Sequence, residues 1–305
     1  MTRTFFAPGR VNLIGEYTDL VGGPVLPMAI DSGITLACEP AERTTIASDA
    51  AAADWLRYVD AVERELAELG RPQIGMRGSL TSTLPIGAGL SSSAALEVVV
   101  GLALCSLADF ALAPLELAGA ARRAELRATG VPCGIMDQAA SLLGRAGHAV
   151  LLDTGTLAFE HVPLPPELAV VVVDSGTARA LEHTGYATRK RELEEGHPKR
   201  VRHVESESAR VYAAVRALRD GDRIALGRLF RESHASLRDD LEVTTPELDA
   251  IVEAAYAAGA VAARMTGGGF GGSAVALVDA TAADAFVARF DRAFVCRAAD
   301  GAREA

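Results

Sequence analysis

The sequence predicts a mixed α+β chain built as two domains that share a cleft. Three observations lead there. Helical and strand-like hydrophobic patterns both recur along the chain. Its 305 residues exceed an average domain. A Leu164-Pro-Pro166 break stands between two strand-like runs and reads as a hinge, dividing residues 1–164 from 165–305. Half the residues are hydrophobic but only 5% are aromatic, so the core must be built largely from Ala, Val and Leu.

Residues 4–6 read as a strand leading into a turn at Pro8-Gly9, and residues 11–14 as a second strand ending at Gly15. Leu56, Val59, Val62, Leu66 and Leu69 recur at helical spacing and predict an amphipathic helix over 55–70. Residues 74–83, with Ile74, Met76 and Leu80 on one face, read as a strand. It feeds Pro85-Ile-Gly-Ala-Gly-Leu-Ser-Ser-Ser-Ala-Ala95, where two glycines and three serines precede an apolar run over 96–108.

Gly87 and Gly89 permit a tight turn there. Ser91, Ser92 and Ser93 can cap the following helix and leave hydroxyls for a ligand. Backbone N–H groups gathered at a helix N-terminus favour an anion, above all a phosphate. The other reading is a Gly/Ser turn that merely starts a buried helix. No Walker A box competes, because Lys190 and Lys199 are the only lysines and neither follows a glycine. A dinucleotide fingerprint would need its third glycine at position 92, which is Ser92.

Residues 115–128 read as a helix with Pro114 in its first turn. A loop over 130–134 follows, then a helix holding Asp137. Residues 148–152 and 168–173 read as strands, the second with the continuous apolar run of a buried one. The stretch 189–202 reads as a solvated mixed-charge helix. Further on, two short strands flank Thr266-Gly-Gly-Gly-Phe-Gly-Gly272. Five glycines in six positions exceed what a turn needs and predict close approach of backbone to the phosphate loop or a ligand. Residues 49–53 are an alanine-rich tract.

A net charge of −10 with no basic stripe argues against nucleic acid as a partner. Cys38, Cys105, Cys133 and Cys296 are scattered without a C-x-x-C pair, which predicts buried reduced thiols. Residues 1–6 lack a signal-peptide core, and the uncharged run over 98–108 is too short to span a membrane. The expectation is a soluble cytoplasmic protein.

Three segments need one explanation: Ala7-Pro-Gly-Arg-Val-Asn-Leu-Ile-Gly-Glu-Tyr-Thr-Asp-Leu-Val-Gly-Gly23, the loop over 85–95, and Arg264-Met-Thr-Gly-Gly-Gly-Phe-Gly-Gly-Ser273. Together they resemble the three motifs of the GHMP small-molecule kinases, and the first resembles the galactokinase branch. Ala124-Glu125, Cys133-Gly-Ile-Met-Asp-Gln138, Asp174-Ser-Gly176, Tyr186 with Arg189, and Ser233-His-Ala-Ser-Leu-Arg-Asp239 add to the match, which runs from about residue 4 to residue 278.

The resemblance implies the two-domain GHMP kinase fold, with an N-terminal ribosomal protein S5 domain 2-like half and a ferredoxin-like C-terminal half. It implies ATP and Mg2+ as co-substrate and cofactor, and a small sugar as acceptor. Pro85, Gly87, Ala88, Gly89, Leu90, Ser91, Ser92, Ser93 and Ala94 are then the nucleotide loop. Ser93 and Glu125 stand at the magnesium positions and offer the oxygens that a small hard cation prefers. Arg10 and Asp137 become the catalytic pair, and Glu16, Tyr17, Asp19, Gly134 and Tyr186 the sugar contacts. This agrees with what phosphoryl transfer requires: positioned phosphates, a divalent cation and a group to receive the hydroxyl proton.

The match departs from the family at Tyr17, where galactokinases usually have histidine reading the C6 hydroxyl. Leu20 stands for a usual tyrosine and Ser273 for a usual cysteine, and the segment between Ile46 and Trp55 is compressed. The expected activity is phosphorylation of the anomeric hydroxyl of galactose. The alternatives are the same chemistry on L-arabinose or a galactose derivative, and a non-catalytic sugar and nucleotide sensor. Some relatives of that last kind lack the Ser-Ala pair that is present here as Ser93-Ala94.

Overall fold

The expected turn at Pro8-Gly9 does not break the first strand. A computed structural model describes residues 1–48, 54–85, 87–177 and 185–305. In it strand β1 (Arg3–Asn12) runs straight through both residues, opposite a bulge in β3 (Pro27–Ala41) where residues 30–32 face Gly9 alone. A bulge bends a strand without ending it. The glycine is needed there because a Cβ at Gly9 would lie 2.5 Å from Leu84 Cδ2 and 2.7 Å from the Leu90 carbonyl oxygen. The Arg10 N–H donates to that same carbonyl at 3.2 Å, which seats the phosphate loop against β1.

The strands form three sheets among the described residues. The first has the order β12-β1-β3-β5-β4, with β4 (Thr45–Ser48), β5 (Gly75–Ser82) and β12 (Arg303–Glu304); only β4 runs parallel to its neighbour. A small sheet pairs β2 (Pro24–Val25), β6 (His148–Asp153) and β7 (Phe159–Pro163). The third is antiparallel, β11-β8-β10-β9, from β8 (Leu168–Asp174), β9 (Ala262–Thr266), β10 (Ser273–Asp279) and β11 (Ala293–Cys296). Its centre, Val170 to Val173, is buried on both faces, as its unbroken apolar run predicts.

Helix α1 (Leu56–Glu68) buries Val59, Val62 and Leu66, while the two ends of the expected stripe, Leu56 and Leu69, are exposed. Helix α2 (Ser92–Leu107) is apolar on every side and lies between the first sheet and helices α1, α3 (Pro114–Thr129) and α4 (Met136–Leu143). Pro114 opens α3 as expected, and Gly130 closes it in the left-handed conformation. These helices hold Ser93, Glu125 and Asp137 on neighbouring elements.

The charged stretch 189–202 is not one solvated helix. It splits between α5 (Tyr186–Glu194) and α6 (Pro198–Asp220), because Gly196 and Pro198 interrupt the helical backbone. Arg200 within it is buried and pairs with Glu192 and Glu242. Helices α7 (Arg223–Ser236), α8 (Pro246–Ala257) and α9 (Ala283–Val287) complete the chain. Residues 164–167 make the short link from β7 to β8, and the largest buried apolar cluster takes residues from both sides of it. No described helix is long and apolar enough to cross a membrane. The cysteines are free thiols, three buried and Cys133 half-buried. The alanine-rich tract 49–53, and with it most of the compressed segment, lies outside the described residues, as does Ile86 of the phosphate loop.

Candidate active site

One cavity of about 490 Å³ gathers side chains from all three glycine-bearing segments. Its wall includes Arg10, Glu16, Tyr17 and Asp19 from the first, Gly87 and 89–93 from the second, and Gly267 and Gly268 from the third. Glu125, Gly134, Asp137 and Tyr186 line it as well. Of the residues singled out from the sequence, Pro85, Ala88 and Ala94 do not. Ala88 instead gives its carbonyl to the Ser273 hydroxyl at 2.7 Å, which ties the phosphate loop to the third segment. Gly267 to Gly272 thus do two things: they close the β9–β10 hairpin and they bring backbone against the loop and cavity.

Arg10 leaves β1 just past Gly9 and is almost wholly buried. Its Nε and Nη2 donate to the two carboxylate oxygens of Asp137, each at 2.7 Å, and its Nη1 donates to the Gly89 carbonyl at 2.8 Å. Asp137 sits in the first turn of α4 and keeps 29% of its side chain exposed to the cavity. Its Oδ2 also accepts from the Ser91 hydroxyl.

That bond corrects one expectation. Ser91 occupies the N-cap of α2 in a left-handed conformation, yet no serine hydroxyl caps the helix. The Ser91 hydroxyl goes to Asp137 and the Ser93 hydroxyl to Glu125 Oε1 at 2.8 Å, carboxyl groups that α4 and α3 bring within reach. Gly87 and Gly89 do adopt positive φ, 78° and 73°.

Asp19 lies against Gly134 so closely that a Cβ there would come within 1.8 Å of Asp19 Oδ2. Burial, reinforced by the Asp137 charge, pushes the Asp19 carboxyl up to about 7, against a hydrogen bond from the Met136 N–H and the pull of Arg10. Tyr17 is buried at φ 66°, its ring centroid 5.1 Å from that of Tyr186. Its hydroxyl donates to the Gly268 carbonyl at 2.8 Å, so the donor expected to face a sugar is given to the third segment.

Glu16 is also held from behind. Its Oε1 accepts from the Gly267 N–H at 2.9 Å and its Oε2 pairs with Arg264, which is fully buried. Arg264 donates to the Leu13 carbonyl and lies 3.5 Å from Glu207 Oε1. Glu207 accepts from the Gly15 N–H, the Ser233 hydroxyl and Arg210. Burial opposes its charge, but Arg264, His203 and Arg210 outweigh that and bring it down to about 2. Burial dominates at Glu16 and raises it.

Sequence reasoning missed this Arg264–Glu207 support, since nothing local marks a glutamate in the middle of α6. It also missed Glu97, although a glutamate four residues after Ser93 falls on the same face of α2. Glu125 is raised by burial first and by Asp137 second. Among the described residues no three His, Cys, Asp or Glu side chains converge as a metal cage. Ser93 and Glu125 still fit a small dication held largely by phosphates, since they supply two adjacent oxygen donors on the cavity wall.

Residues 56–145 match the GHMP kinases N terminal domain, residues 214–296 the GHMP kinases C terminal domain, and residues 2–40 the galactokinase galactose-binding signature. The chain is 39% identical to a galactokinase of Thermococcus kodakarensis, over 90% of this chain and 89% of the relative. It is 41% identical to a galactokinase of Chloroflexus aurantiacus, over 94% and 86%. The solved galactokinase of Lactococcus lactis, in complex with galactose, superposes with a TM-score of 0.93 at 31% identity, covering 100% of this chain and 95% of that one. A mevalonate kinase of L. major shares the fold with a TM-score of 0.74 at 23% identity, over 97% and 95%. The fold is the two-domain GHMP kinase fold, and the chain belongs to the galactokinase family of the GHMP kinases.

Proposed function

We propose that this protein is an ATP- and Mg2+-dependent kinase that phosphorylates the anomeric hydroxyl of galactose. The observation that carries it is the two-pronged Arg10–Asp137 pair, set between the phosphate loop on one side and Asp19 and Gly134 on the other. We assign residues 1–164 and 165–305 to the two halves of the fold, with the cavity between them.

In this reading the amides of residues 87–93 and the start of α2 bind the nucleotide phosphates. Asp19, Glu16 and Tyr186 hold the sugar, with C1 toward Asp137. The C1 oxygen attacks the γ-phosphorus as the bond to the ADP oxygen breaks. Asp137 orients the C1 hydroxyl and has received its proton once the new O–P bond is formed. Arg10 keeps Asp137 in place and offsets charge developing on the transferred group. Ser93 and Glu125 would hold magnesium, which when bound neutralises charge on the nucleotide phosphates.

A second reading has a specific observation in its favour. The Tyr17 hydroxyl is engaged by Gly268, which leaves residue 17 a poor reader of C6 and favours acceptance of L-arabinose beside galactose. A coupled ADP-release assay over galactose, L-arabinose, galactosamine, galacturonate and glucose, with and without Mg2+, tests both. Highest kcat/KM for galactose supports the first reading, and equal values for L-arabinose the second. Sugar binding without any ADP release would overturn both and leave a sensor.

A further inference from the structure

Gln138 lies directly after Asp137, is fully buried and directs its amide donors away from the Asp137 carboxylate, to two glutamates. Its amide nitrogen has two N–H groups, and each goes to a different carboxylate. One is donated to Glu125 Oε2 at 2.7 Å and the other to Glu97 Oε2 at 3.0 Å. Glu97 comes from α2, Glu125 from α3 and Gln138 from α4, so one amide joins three helices at a single point.

The Glu125 carboxylate is thereby fixed at both ends. Oε2 faces Gln138 and the Cys133 thiol, which lies 3.7 Å away, while Oε1 faces Ser93. No described cation pairs with Glu97 or Glu125, and Glu97 Oε1 has no hydrogen-bond partner. An amide that donates twice is what keeps two buried carboxylates adjacent without bringing in a positive charge. An arginine or lysine at 138 would neutralise Glu125 and compete with a bound cation. A residue without donors would let Glu125 rotate away from Ser93.

We propose that Gln138 is a positioning residue for the cation site, clamping Glu125 against the Glu97 anchor so that Glu125 Oε1 and Ser93 Oγ stay together at the cavity wall. This rests on the reading of Ser93 and Glu125 as the magnesium ligands. Glu97 is the second member of the device: its fully buried carboxylate is the fixed point on α2, one helical turn beyond Ser93.

The test is Mn2+ binding followed by electron paramagnetic resonance, with the full chain and a non-hydrolysable ATP analogue, in wild type, Glu125→Gln, Gln138→Met and Gln138→Asn. Methionine keeps the volume and removes both donors. Asparagine keeps the amide but is one methylene too short to reach both carboxylates, and it serves if the methionine variant does not fold. We expect Gln138→Met or Gln138→Asn to weaken Mn2+ binding about tenfold, as loss of an outer-shell partner does. The Mg2+ concentration for half-maximal rate should rise in step, while the KM for sugar stays within twofold. If Glu125→Gln weakens Mn2+ binding and neither Gln138 variant does, the positioning role is wrong and the ligand reading survives. If Glu125→Gln has no effect either, the ligand reading falls, and with it the clamp.

Discussion

Arg10 and Asp137 meet edge to edge, Nε to Oδ1 and Nη2 to Oδ2, with the third guanidinium nitrogen on the carbonyl of Gly89. The contact joins three pieces of chain: strand β1, the phosphate loop and the start of α4. The planar fork matters because a lysine ammonium cannot present two parallel donors to one carboxylate while also holding a carbonyl behind it. Arg10→Lys should therefore lower kcat at least ~10²-fold with the nucleotide Kd little changed. Asp137→Asn should lower kcat by ~10²-fold or more, the lower bound for a positioned proton acceptor. Steady-state kinetics beside nucleotide titration calorimetry check both. Turnover within a few-fold of wild type in either variant would remove that residue from the chemistry.

Gly134 and Asp19 make the second prediction. There is no room for a methyl group beside Asp19 Oδ2, so Gly134→Ala must displace the carboxylate or the loop before α4. The expected result is a rise in sugar KM of ~10-fold or more, on the scale of a lost charged hydrogen bond, with the KM for ATP unchanged. Equal losses for both substrates would mean that the whole loop has collapsed rather than the sugar contact alone.

The third prediction concerns pH. The folded, sugar-free protein holds the Asp19 carboxyl at about 7, well above its ordinary value near 4, through burial and the neighbouring Asp137. A raised carboxyl binds its proton more tightly folded than unfolded. Its contribution to stability is therefore full below about pH 4 and is lost as pH rises through about 7. Sugar affinity should move the other way, because an ionised Asp19 accepts two hydroxyl hydrogens and a protonated one competes with them. Calorimetric titration of galactose from pH 6 to 8.5 should show binding tighten up to about pH 7 and level off above it. Asp19→Asn should flatten both the affinity profile and the matching slope in Tm. A flat affinity profile in the wild type would show that Asp19 is already ionised at pH 6 or does not touch the sugar.

The sequence carried the elements of the first half well, because the stripe on α1, the Pro114 start of α3 and the apolar length of α2 are local signals. The contacts between motifs were legible only through the resemblance. Nothing in Ser91 or Ser93 taken alone says that their hydroxyls leave the helix cap for carboxylates on α3 and α4, since that depends on where the other helices pack. The turn read at Pro8-Gly9 failed for a related reason. Pro and Gly are turn formers in isolation, but the pairing of Pro8 and Arg10 with β3 keeps them in the strand and leaves the extra residues on β3. Glu207 and Arg264 were invisible because their meaning lies in each other, 57 positions apart in the chain.

The last prediction concerns Tyr17. The resemblance places Tyr17, and with it the phenol hydroxyl, at the position where galactokinases usually have histidine reading C6. In the fold that hydroxyl donates to Gly268, and the ring lies beside Tyr186. Two substitutions now separate the roles. Tyr17→Phe keeps the ring and leaves the Gly268 carbonyl without this donor, which should cost about 1 kcal/mol of stability. It should leave the ratio of kcat/KM for galactose to that for 6-deoxygalactose within about twofold, because a donor already engaged cannot discriminate. Tyr17→His shortens the side chain and frees space on the cavity wall, so a ring nitrogen can face C6. That ratio, and the ratio of galactose to L-arabinose, should then rise several-fold. Kinetics on the three sugars in wild type and both variants decide the matter. A drop in C6 discrimination in Tyr17→Phe would show that the hydroxyl leaves Gly268 for the sugar when the sugar binds. Unchanged ratios in Tyr17→His would move selectivity at C6 away from residue 17 altogether.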